Sequence, residues 1–117
     1  MVVIPDGLIP GSYSPFKENG DLDLETLRER LESVTKGATG LHGPANHSEN
    51  CMLTFEEWKQ WIDVMKEVSD AHGIQTWAFL GAESLKKTIP YLEYAVEKKV
   101  TGIILHPPYK VDYSQDA

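Results

Sequence analysis

An internal disulfide is excluded at the outset, because the chain holds a single cysteine, Cys51. Positive charge is scarce: 11 lysines and arginines stand against 18 acidic residues, a formal charge of -7. Without a basic cluster the chain has no electrostatic reason to approach nucleic acid or anionic lipid, and neither is expected as a partner. Long apolar runs are missing too. The longest, GIILHPP, is far too short to cross a bilayer. The opening MVVIPDGLIPG is apolar, but Pro5, Asp6 and Pro10 interrupt it and no basic region precedes it, so no secretory signal is read there. These absences lead to the expectation of a soluble cytoplasmic protein.

What is present is the composition of an ordinary globular domain, 41% hydrophobic and 25% charged, and a length of 117 residues that suits one small domain. Short apolar runs alternate with helical patterns. GLIPGSYS is a short strand candidate, ended by Pro15. In DLDLETLRERLESVTKG, Leu24, Leu27, Leu31 and Val34 share one helical face, Asp23 is placed to cap it, and Gly37 suits its end. ATGLHG is the second strand. TFEEWKQWIDVMKEVSDAHG carries the strongest helical signal, with Thr54 and Glu57 as a capping box, a stripe of Trp58, Trp61, Ile62, Met65 and Val68, and Gly73 as terminator. IQTWAFLG and TGIILH are the third and fourth strands, and Trp77 is read as core with Trp58 and Trp61. Between them lies SLKKTIPYLEYAVEKK. There either Ser84 caps a helix that Pro90 kinks, or Thr88 caps one with Pro90 in its first turn. Residues 107–117 read as a polar, mobile tail.

An order β-α-β-α-β-α-β implies parallel strands joined by helical crossovers. KGATGLHGP and KVTGIILHPP also echo one another, each with an apolar strand that ends in a histidine close to proline. Four strands and three helices are half of a (β/α)₈ barrel, which needs about 250 residues. The expected fold is therefore an α/β, TIM-barrel-type N-terminal half over residues 1–117, stopping before strands five to eight. A fragment, a self-associating half and a small open sheet all fit that pattern.

In such folds the reactive groups gather on the loops at strand carboxyl ends. Here those loops are SYSPF, HGPANHSENC, GAES and HPPYK, rich in hydroxyls, histidine, glycine and proline. The order Gly7, Ser14-Pro15-Phe16, Gly20, Asp23, then LTFEEW, then GIILHPPYKVDYSQ resembles the dihydrodipicolinate synthase/N-acetylneuraminate lyase family. The resemblance spans nearly the whole chain. It implies a class I aldolase mechanism in which a 2-oxo acid, usually pyruvate, forms a Schiff base with a lysine. It implies no cofactor and a homo-oligomeric assembly. A Gly-Thr-Thr-Gly-Glu loop binds the substrate carboxylate in that family, a task suited to hydroxyls and backbone N–H groups.

Carried over residue by residue, the resemblance nominates Ser14, Gly43, Asn46, His47, Ser48, Glu49 and Tyr109 as substrate-binding residues. Three departures stand out. The paired threonines are absent, whether the loop is aligned forward from Gly43 onto Pro44 and Ala45 or back from Glu49 onto Asn46, His47 and Ser48. The second tyrosine of the family's pair is Lys110. The Schiff-base lysine and relay tyrosine belong to strands beyond the fourth, so this chain by itself is not expected to form the Schiff base. Lysines such as Lys86, Lys87, Lys98 and Lys99 fall on helix surfaces, where an ordinary pKa near 10.4 makes a poor nucleophile at neutral pH.

Plainer readings stand beside these. His42 and His106 read as rim histidines bonded to loop carbonyls, His72 as a residue that offsets a helix dipole, and Cys51 as a small buried side chain. His42, His47, Glu49, Cys51 and His106 include metal-ligand types, but their spacing matches no zinc signature. The second functional reading is a non-catalytic, truncated or degenerate family member. The third is a metal-dependent barrel hydrolase.

Overall fold

A computed structural model describes residues 6–45, 48–81 and 84–106. Asp23 starts the first helix, α1 (Leu24–Ser33), by accepting from the Thr26 N–H at 3.1 Å and from the Thr26 hydroxyl at 2.8 Å. The helix ends at Ser33, with Val34 as its cap, one turn before Gly37. Gly37 takes its left-handed conformation in the turn that follows. Helix α2 (Phe55–His72) carries both halves of the capping box, Glu57 N–H to Thr54 Oγ1 at 3.1 Å and Thr54 N–H to Glu57 Oε1 at 3.0 Å. Gly73, at φ 65°, closes it. Helix α3 (Leu85–Glu97) starts at Ser84 and contains Pro90, so the first of the two open alternatives is the one adopted.

Three strands, β1 (Gly40–Gly43), β2 (Gln75–Leu80) and β3 (Gly102–Leu105), form a parallel sheet in the order β1-β2-β3. The expected strand in GLIPGSYS is not one, which corrects the count from four strands to three among the described residues. The segment still runs beside β1, taking the Thr39 N–H on Leu8 O at 2.8 Å and the His42 N–H on Pro10 O at 3.1 Å. It cannot form a ladder of its own because Pro10 has no N–H and Gly7 turns the backbone at φ 83°.

The three helices cover one sheet face. Leu27 and Leu31 of α1, Trp58, Trp61, Ile62, Met65 and Val68 of α2, Leu41 of β1, Ala78 and Leu80 of β2, and Ala95 of α3 form one buried core. Strand alternation sends Trp77 to the other face of the sheet, away from the cluster that holds Trp58 and Trp61. There it is buried, and with Ile9, His42, Ile103 and Ile104 it lines a hollow of about 390 Å³. No helix of the described residues is long and apolar enough to cross a membrane.

Candidate functional site

The carboxyl end of β1 delivers the chain to residues 43–50, and the segment Gly11–Phe16 lies beside it. Gly43 is buried at φ 149°, and a Cβ there would stand 2.5 Å from the Trp61 ring, so glycine is required both for conformation and for space. After it, Pro44, Ala45, Ser48 and Asn50 are all buried. The Ser48 N–H donates to Ala45 O at 2.9 Å, and Asn50 Nδ2 donates to Pro44 O at 2.8 Å. This knits the loop to itself before the short 3₁₀ turn Asn50–Met52 leads into α2.

Two side-chain exchanges tie that loop to the N-terminal segment. The Ser14 hydroxyl donates to the Ser48 carbonyl, and the Ser48 hydroxyl donates to the Ser12 carbonyl. The Ser14 N–H donates to Glu49 Oε2 at 3.2 Å, although the two residues lie 35 apart in sequence. From below, Trp61 Nε1 donates to Ser14 Oγ at 3.0 Å. Ser14 is 6% exposed and Ser48 not at all, so water does not compete for these bonds. Glu49 holds a left-handed backbone, φ 54°, rare outside glycine, asparagine and aspartate.

Of the nominated residues, Ser14, Gly43, Ser48 and Glu49 are thus brought together at one end of the sheet. Asn46, His47, Tyr109 and the tail 107–117 lie outside the described residues. His42 stands at the rim as expected, its Nδ1 2.7 Å from Ile9 O. The His106 N–H donates to Leu80 O at 2.8 Å, and its ring lies 5.7 Å from that of Phe79. His72, the last residue of α2, pairs with Glu32 Oε2 at 2.5 Å. Cys51 corrects the sequence reading: it is exposed, because the 3₁₀ turn buries Asn50 and leaves its neighbour outward. Among the described residues no three histidine, cysteine or acidic side chains stand close enough to hold a metal ion.

Ser12, Asn50 and Trp61 are members of the cluster that periodicity assigns to connection or packing. The signal for Trp61 is chemical: a buried indole N–H can only donate, so it needs an acceptor. Every described lysine lies outside the strands. One of them, Lys98, is held above its usual pKa by hydrogen bonding and proximity to Asp63, which makes it a still poorer nucleophile.

A three-stranded parallel sheet covered by helices on one side, with polar groups collected at the carboxyl end of its first strand, defines a partial (β/α) barrel. The Dihydrodipicolinate synthetase family matches residues 5–117, and the chain belongs to that family. It is 27% identical over 104 residues to the 4-hydroxy-tetrahydrodipicolinate synthase of Methanothrix thermoacetophila, covering 88% of this chain and 34% of that relative. Among solved structures, the 4-hydroxy-tetrahydrodipicolinate synthase of Methylacidiphilum fumariolicum SolV superposes with a TM-score of 0.83 at 25% identity, over 97% of this chain and 37% of that one. YagE, a prophage protein of the dihydrodipicolinic acid synthase family from E. coli K12 crystallised in complex with pyruvate, shares the fold at a TM-score of 0.82 and 23% identity, over 94% of this chain and 37% of its own. The chain therefore spans about a third of the length of the curated relatives it matches.

Proposed function

We propose that residues 1–117 form the N-terminal, carboxylate-binding portion of a lyase or aldolase that acts on pyruvate or another 2-oxo acid. Family membership supports the reaction class, and the pyruvate complex of one structural neighbour supports the ligand class. The observation that carries the reading for this chain is the closure of Glu49 onto the Ser14 N–H at the carboxyl end of β1, where parallel folds place their ligands. Ser14 and Ser48 hold the loop. Gly43 and Glu49 border its ligand side, and the family resemblance assigns Asn46, His47 and Tyr109 to the same task.

No described lysine sits on a strand, and this favours a chain that binds the 2-oxo acid without trapping it covalently. The lysine nucleophile is then supplied by polypeptide outside residues 1–117. Borohydride reduction with pyruvate tests this: no adduct is expected on this chain, and an adduct on one of its lysines overturns that part. Titration with pyruvate, followed by amide NMR, is expected to move Ser14, Ser48 and Glu49 saturably. An unchanged spectrum removes the binding role. The homo-oligomeric assembly belongs to the same reading and is supported by the apolar residues exposed on α3 and β3. A sedimenting monomer at every concentration would remove it.

A further inference from the structure

We infer that Trp61 is a positioning residue for loop 43–50, acting through Ser14. Its purpose depends on the carboxylate-binding reading above; its geometry does not. A serine hydroxyl has one proton to give and two lone pairs. The Trp61 indole N–H, 3.0 Å from Ser14 Oγ, occupies a lone pair and leaves the serine proton to the Ser48 carbonyl. That bond, with Ser48 Oγ on Ser12 O and Ser14 N–H on Glu49, holds the left-handed turn at Glu49 that no glycine eases. The six-membered ring of the same indole fills the space beside Gly43, where a Cβ would meet it at 2.5 Å. One side chain of α2 therefore governs both the entry to the loop and its exit. Trp61 is fully buried, so the arrangement is shielded from solvent.

The test compares Trp61→Phe, Ser14→Ala and Ser14→Thr in the full chain, by amide hydrogen exchange and pyruvate titration. Loss of one buried hydrogen bond is expected to speed exchange at Ser48, Glu49 and Asn50 by about tenfold in the first two variants, with β2 amides unchanged. Ser14→Ala is also expected to speed exchange of the Trp61 indole proton, and Ser14→Thr to restore both. Combining Trp61→Phe with Ser14→Ala is expected to add little, because both break one chain of bonds. Wild-type loop exchange in Ser14→Ala, or effects of the two substitutions that multiply, would overturn the inference. Should Trp61→Phe fail to fold, the serine pair decides alone. If the wild type binds pyruvate, both loosening variants are expected to raise Kd about tenfold with unchanged end-point shifts; an unchanged Kd overturns the role in binding. If the wild type binds none, the functional reading fails, and loop exchange still decides whether Trp61 positions the loop.

Discussion

Gly43 and Cys51 show how single residues answer to their surroundings. A methyl group at position 43 would collide with Trp61 and would force an alanine to φ 149°. Gly43→Ala is therefore expected to cost about 3 kcal/mol, combining overpacking with an unsuitable backbone conformation, and a urea melt would show it as a lowered midpoint. Cys51 is exposed, so iodoacetamide is expected to alkylate it in the native protein about as fast as in urea. A native rate slower by a hundredfold would contradict that exposure. At this scale the sequence was half legible. Ser14 and Glu49 could be nominated from motif order, whereas Trp61 was hidden inside an apolar stripe whose period reports only which side is buried. Cys51 was misread because a 3₁₀ turn has no periodicity long enough to reveal its faces.

Helices obey more local rules, and there the reading carried further. The Thr54 capping box formed as spelled out, and Thr54→Ala is expected to lower stability by about 1 kcal/mol in chemical denaturation. Asp23 accepts two hydrogen bonds from Thr26, and these hold its carboxyl below the ordinary value of 3.8. The folded state thus favours the charged form, so its contribution is complete above pH 3.8 and disappears as the pH falls through the lower, native value. Asp23→Asn keeps an acceptor but should flatten the acid side of a plot of urea midpoint against pH. In α3, Pro90 removes the N–H that would bond to Lys86 O. Pro90→Ala is expected to raise stability by about 2 kcal/mol, the helix gain less the flexibility returned to the unfolded chain. Sequence left two starts open for this helix. The structure settles on Ser84, whose hydroxyl accepts the Lys87 N–H at 3.2 Å, while Thr88, inside the helix, donates its hydroxyl back to Ser84 O at 2.9 Å.

At the largest scale, helices cover one face of the sheet among the described residues. Ile103, Ile104 and Leu105 are 38 to 60% exposed on β3, and Leu85, Ile89, Leu92 and Val96 repeat along α3 at helical spacing, 37 to 69% exposed. Exposed apolar side chains grouped along one helix and along one strand bind hydrophobic dyes. The native chain is expected to enhance anilinonaphthalenesulfonate fluorescence. Ile89→Gln with Val96→Gln should reduce that signal while changing stability by less than about 1 kcal/mol, since neither side chain is buried. A dye signal unaffected by the pair would place the apolar surface elsewhere.

By itself the sequence determined the helices, the caps that start α1 and α2, the parallel alternation and the family, because each is written in spacings of a few residues or in the order of short motifs. Only the tertiary structure decided that GLIPGSYS would lie beside the sheet rather than join it, that Trp77 would leave the helix-covered face, and that Trp61 would bond to Ser14, 47 residues away. Such choices depend on which donors find acceptors once the layers pack, and no local period encodes a partner that distant.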